Sequence, residues 1–225
     1  MTEDLLSDTP SLALAGRLHA DRDPREVLAH IAWSVLTEPG DVVGGTLRAH
    51  LGAAEAIEVA LSDAGVGGVS GRALHEARKR WRPRADAGLL REAARSALHA
   101  QVGVLLPGDA SWPDALDDLG EHGPAMLWVR GDARSLAGAG SAVALVGARA
   151  ATPYGENMAR ELSGDLALTG HTIVSGGAYG IDGAAHRAAL GSTGTPWPSS
   201  PAVSIASTRP GTLSCSPTSS GRARP

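Results

Sequence analysis

Twice in the second half of the chain an apolar run gives way to a glycine-bearing loop and then to a helical stretch. This order constrains the fold more than any other feature. Ala142-Val143-Ala144-Leu145-Val146 is wholly apolar and ends at Gly147, the pattern of a strand covered on both faces. Tyr154 to Leu168 has helical character, Thr172-Ile173-Val174 is a second strand, and Ile181 to Leu190 a second helix. Strands alternating with helices predict βαβ units and a parallel sheet, hence an α/β fold.

The segment 1–100 reads differently, as a helical N-terminal domain. Ala29-His30-Ile31-Ala32-Trp33-Ser34-Val35-Leu36 has apolar positions at helical spacing, and Glu38-Pro39-Gly40-Asp41 stops it. Two short helices follow around a glycine break, Gly45 to Gly52 and Ala53 to Leu61, and then a turn-rich connector from Gly65 to Gly71. From Gln101 the chain changes character: a short apolar run to Leu106, a Pro107-Gly108-Asp109 turn, a short helix from Trp112 to Leu119, and a strand over Ala125 to Arg130 closed by Gly131-Asp132.

Aromatic residues make up 3% of the 225-residue chain, with no Phe, so the core must rest on Leu, Val, Ile and Ala. The formal charge of -4 gives no global pull towards nucleic acid, so DNA binding requires a local cationic patch. The densest basic run is Arg78-Lys79-Arg80-Trp81-Arg82-Pro83-Arg84. It could contact phosphates, with Trp81 stacking on a base. A helix end where cations oppose the dipole is the weightier reading. Cys215 is the single cysteine, which removes a disulfide framework or Cys-cluster zinc site. The N-terminus lacks the basic and apolar regions of a signal peptide, and no run reaches the roughly 20 apolar residues of a membrane span. A cytoplasmic protein with no membrane association is the expectation.

Two loops hold the chemistry. One runs from Gly147 through Ala148, Arg149 and Thr152 to Tyr154 and Gly155; the other from Ser175 through Gly176, Gly177 and Gly180 to Asp182. Both lie at the carboxyl ends of strands, where open parallel sheets bind ligands. Each leads into a helix N-terminus, whose free N–H groups suit an anion. Glycines allow close backbone approach, and Arg149 adds a donor fork matched to phosphate. Asp182 would repel phosphate and is better suited to bracing its loop. His186, four residues on, shares its helical face, and a catalytic Asp–His pair weighs less than a structural one. Neither loop is a G-x-G-x-x-G fingerprint or a Walker A sequence. No cofactor and no metal are expected.

Ala144 to Arg149 with Thr152-Pro153-Tyr154-Gly155, followed by Ser175-Gly176-Gly177-Ala178-Tyr179-Gly180-Ile181-Asp182-Gly183-Ala184-Ala185-His186, resembles the DNA-processing protein A (DprA/Smf) family. Its typical patterns are G-[SA]-R…Y-G and S-G-x-A-x-G-I-D-x-x-A-H, and the second is long and specific. Upstream, Pro107-Gly108-Asp109, Trp112-Pro113 and Pro124 to Asp132 are similar to the family's lead-in to its first core strand. The likeness covers about residues 25–194. It implies a partial Rossmann-like domain over 101–194 with an incomplete parallel sheet, preceded by a small helical (SAM-like) domain. It also implies a non-enzymatic protein that binds single-stranded DNA in natural transformation (competence) and recombination, protects it and loads RecA recombinase. Intact members form homodimers. The DNA-binding residues by this likeness are Gly147, Arg149, Tyr154, Gly155, Ser175, Gly176, Gly177 and Gly180, with Asp182 and His186 in structural support. Ala148 stands where serine is commoner, which removes a hydroxyl donor. A nucleotide-processing hydrolase of related Rossmann-like fold is the alternative, using Ser175 or the Asp182/His186 pair. Such enzymes carry a G-G-G-x-G-T-x-x-E type run that this chain lacks. A structural or interaction protein is a third class.

Beyond Gly194 the text is crowded with Ser and Pro and has no Asp, Glu or Lys. It shows no strand period, and Pro196, Pro198 and Pro201 exclude a central strand. The expectation for 195–225 is a disordered or out-of-frame tail that truncates the family domain near residue 195. Shifted by one frame, codons for Pro196 to Gly211 can encode an apolar strand, a Gly-Val-Asp turn and Tyr-Pro, as the family would continue. An authentic Ser/Pro-rich segment is the competing reading, and the gene sequence separates the two. A truncated sheet would fold weakly and be functionally impaired.

Overall fold

A computed structural model describes residues 5–137 and 141–192 with their elements, and the backbone of 202–204. The described residues up to 100 form six α-helices: α1 (Thr9–Leu18), α2 (Pro24–Leu36), α3 (Val42–Leu51), α4 (Ala53–Leu61), α5 (Gly71–Trp81) and α6 (Ala87–His99). Their starts are written in the sequence. Asp8, Asp23, Asp41, Ser70 and Asp86 each accept a backbone N–H from the first turn of the helix that follows, satisfying donors with no partner in the helix. Gly52, at φ 77°, ends α3 and opens α4. The helices enclose one apolar core in which Trp33 and Trp81 meet edge to face, with centroids 5.4 Å apart and planes at 88°.

The basic run closes this body from outside. Arg78 donates to the carbonyls of Val59, Ala60 and Ala64, and Arg82 to those of Leu61 and Ser62 and to Asp63. Arg84 reaches the Leu36 carbonyl and Glu38, and Arg80 pairs with Asp41 at 3.1 Å. Arg78, Arg82 and Arg84 thus serve carbonyls at the ends of α4 and α2, whereas Arg80 pairs with the residue that caps α3. A base-stacking Trp81 is ruled out, since its ring is 0% exposed and its indole N–H donates to Asp41. The helix-end reading holds in kind, but the carbonyls served belong to neighbouring helices.

The helical core does not stop at residue 100. Strands β1 (Val102–Leu105) and β2 (Leu127–Arg130) pair antiparallel, with Leu105 opposite Leu127. Val104, Leu106, Ala125 and Met126 belong to the same cluster as the helices. The segment between the strands, including a 3-10 stretch Asp114–His122, lies on α3 so closely that a Cβ on Gly45 would come 1.8 Å from the Glu121 carbonyl. His30 Nδ1–H donates to the Ala125 carbonyl at 2.6 Å, and Arg48 to that of Gly123 at 2.9 Å. Asp109 clasps the turn after β1 to the α1–α2 connection through His19, Arg22 and the Leu106 N–H. This pair of strands is therefore not part of the parallel sheet.

After the short α7 (Arg134–Ala137) comes the α/β body: β3 (Ala142–Ala144), α8 (Pro153–Leu168), β4 (Thr172–Ser175), α9 (Ile181–Ser192) and β5 (Ala202–Ser204). The three strands are parallel in the order β3-β4-β5, as the alternating pattern predicts. Helices α8 and α9 pack on each other and on β4. Small residues, Ala159, Ser163 and Ala167 facing Ala184, Ala185 and Ala189, permit close approach, and Ser163 Oγ–H donates to the Ala185 carbonyl at 2.6 Å. Two expectations differ. The run 142–146 is not covered on both faces: Ala142 and Ala144 are exposed and Val146 is 72% exposed. It forms an outer strand of the described sheet, and β4 alternates in burial, as when helices cover one face. In the segment expected to lack strand, Ala202–Ser204 pairs with β4. The rest of the expected tail, 195–225, lies outside the described residues.

Candidate functional site

The loops after β3 and β4 meet at the carboxyl edge of the sheet. Ile181 fastens them. Its N–H donates to the Ala148 carbonyl at 3.3 Å, and its side chain fills the space beside Gly147, where a Cβ would lie 2.6 Å from Ile181 Cγ1. Its Cδ1 also reaches Gly155, at 3.5 Å from a Cβ built there. Gly180, at φ 81°, passes so close to the first loop that a Cβ would fall 2.3 Å from the Ala148 carbonyl oxygen and 2.5 Å from that of Arg149. Gly177 also has positive φ, 69°. These glycines are required by backbone contact and conformation.

Asp182 braces both loops at once. Its buried carboxylate accepts the Gly147 N–H at 3.3 Å and the Ala178 N–H at 3.4 Å, and a Cβ on Gly176 would sit 3.0 Å from it. His186 hydrogen-bonds the Ser175 backbone, and burial pushes its imidazole below the ordinary value of 6.5. Asp182 and His186 thus brace the loops through backbone groups. At the start of α8, Thr152 accepts the Gly155 N–H at 3.2 Å, with Pro153 in the first turn.

On this frame the side chains separate into two sets. Arg149 is exposed and makes no ion pair among the described residues. Tyr154 is 74% exposed, beside Gly155. Ser175, in contrast, is 3% exposed, and its hydroxyl has no hydrogen-bond partner among the described residues. It points inward, so a hydroxyl contact to a ligand at the surface is not what the structure displays. The sequence reading missed Ile181, whose signal is a bulky side chain opposite two glycines. It also missed Arg187, whose guanidinium folds over Gly183, with Nη1 3.2 Å from a Cβ built there. No cluster of His, Cys, Asp or Glu among the described residues could hold a metal ion. None of the described helices is long and apolar enough to cross a membrane.

An α/β domain whose parallel strands open into two interlocked, glycine-bearing loops at helix N-termini is an anion-site architecture. Residues 103–197 match the family model described as DNA recombination-mediator protein A. The DNA processing protein DprA of Mycobacterium tuberculosis (strain ATCC 25618 / H37Rv) is 48% identical over 101 residues, covering 40% of this chain and 26% of that protein. Protein Smf of Escherichia coli (strain K12) is 41% identical over 87 residues, 38% of this chain and 22% of its own length. The DNA processing protein DprA of Bacillus subtilis (strain 168) is 38% identical over 71 residues, 32% and 24% of the two chains. The chain spans about a quarter of the length of the curated relatives it matches. The matched segment, which holds the β1–β2 pair and the α/β body as far as α9, is thus similar to the DprA/Smf family.

Proposed function

We propose that the two loops bind the sugar-phosphate backbone of single-stranded DNA, and that the chain acts in DNA recombination and natural transformation. In this reading it protects the strand and loads RecA recombinase without cleaving DNA, in the cytoplasm, as a homodimer when the family domain is whole. One observation carries it: Arg149 is exposed, makes no ion pair among the described residues, and stands on a loop whose backbone Asp182 and Ile181 fix beside the loop after β4. A guanidinium so placed is pre-organised for phosphate.

The hydrolase alternative has less support. It needs a reacting group at the surface, and the Ser175 hydroxyl and His186 Nε2 are both buried. Asp182 spends both oxygens on backbone N–H groups.

Gel shift with oligo-dT against duplex, at rising salt, tests the proposal. Single strands bind in preference, and Arg149→Ala weakens binding roughly tenfold or more and shallows the salt slope by about 0.7. Nucleotide turnover without affinity for either DNA would overturn it. Capture of RecA on chain-bound single strands, absent with Arg149→Ala, tests the loading step.

A further inference from the structure

The chain is poor in aromatic rings, and their placement is lopsided. Trp33, Trp81 and Trp112 are buried and Trp128 is half-buried. The two tyrosines of the sequence, Tyr154 and Tyr179, are instead 74% and 86% exposed. Among the described residues they are the only exposed Trp or Tyr rings, Tyr154 in the first turn of α8 and Tyr179 on the loop after β4. Tyr154 adjoins Gly155, which touches Ile181, and Tyr179 adjoins Gly180, which grazes the Ala148 and Arg149 carbonyls.

An exposed tyrosine at the tip of a floppy loop would mean little. Tyr179 lies on a short loop pinned at both ends: Gly177 and Gly180 turn the backbone at positive φ, and the intervening Ala178 N–H is held by Asp182. The ring is therefore displayed from a fixed backbone, with little conformational entropy left to lose on contact.

We propose that Tyr179, with Tyr154 in the first turn of α8, stacks on the faces of unpaired bases while Arg149 holds the adjoining phosphate. This rests on the single-stranded-DNA reading above and adds a second half to the recognition. Every base has a π-face, so the contact is indifferent to sequence. Bases in a duplex are already stacked and cannot offer their faces, which makes the tyrosines the source of single-strand preference. The ligand is thus a polynucleotide with accessible bases, as distinct from a bare polyphosphate or phosphorylated sugar chain.

Fluorescence anisotropy of the full chain with oligo-dT and with an abasic oligonucleotide of equal length tests this. Wild type binds oligo-dT more tightly than the abasic strand. Tyr179→Ala weakens oligo-dT binding by roughly five- to 150-fold, from the usual worth of one stacked base, and leaves abasic binding unchanged. Tyr179→Phe, which keeps the ring, binds as wild type. Circular dichroism should be unaltered, since the side chain is exposed. Equal binding of the two oligonucleotides, with Tyr179→Ala silent and Arg149→Ala weakening both, would overturn the stacking role and leave the phosphate site standing. Failure of wild type to bind either strand would overturn the site itself.

Discussion

At the scale of single residues, Asp182 is the group on which the site's shape depends most. Its negative charge looks misplaced beside a phosphate site until its partners are counted: both oxygens face backbone N–H groups, one from each loop. Asp182→Ala would remove the partner of the Gly147 and Ala178 N–H groups, at a cost of about 1 kcal/mol. Gly180→Ala acts on the same junction by collision, because its Cβ has no space against the Ala148 and Arg149 carbonyls and φ 81° is unfavourable for alanine. Each variant should lower affinity for oligo-dT with Arg149 intact and shift the urea midpoint downward. An unchanged affinity in both would mean that Arg149 is positioned without the second loop.

At the scale of elements, His30 joins α2 to the lead-in of β2 through the Ala125 carbonyl. Burial is the largest influence on its imidazole and lowers it from the ordinary 6.5, against the raising effect of the Ala125 bond. A folded value below the unfolded one means that the unfolded chain takes up the proton more readily. The stabilisation is therefore full above about 6.5 and is lost as pH falls through the lowered folded value; His186 acts in the same sense. Urea midpoints should fall between pH 7.5 and 5.5, and His30→Gln should flatten part of that slope. Much at this scale was legible beforehand. The α3–α4 break at Gly52, the stop after Leu36, and both strand–loop–helix units follow from glycine, proline and apolar period. The docking of β1–β2 onto the helices was not legible, because it depends on carbonyls at Gly123 and Ala125 meeting side chains far away in sequence. The basic run was legible as a helix end, but not the carbonyls of neighbouring helices that Arg78, Arg82 and Arg84 serve, because sequence does not label main-chain oxygens. In the site, the glycines and Arg149 were legible as types, whereas the inward turn of Ser175 was not.

At the scale of the molecule, the two bodies are unequal. The helical body and β1–β2 share a cluster that includes Trp33, Trp81, Leu28, Ile31, Leu74 and Leu90. The buried centre of the α/β body is Ala167, Ile173, Ala185 and Ala189, and Leu162, Leu168 and Leu190 are exposed on its helices. Apolar burial scales with area, so the second body has the smaller stabilisation. Heating should unfold it first, and amide exchange should be fast in α8, β4 and α9 while α2 and α6 stay protected. A single transition with uniform protection would contradict this. The interlock at Ile181 carries a consequence for engineering. Transplanting the arginine-bearing turn alone into another scaffold would deliver the charge without its aim, because the partner turn sets where that backbone runs. Both turns and the isoleucine wedge must travel as a single cassette.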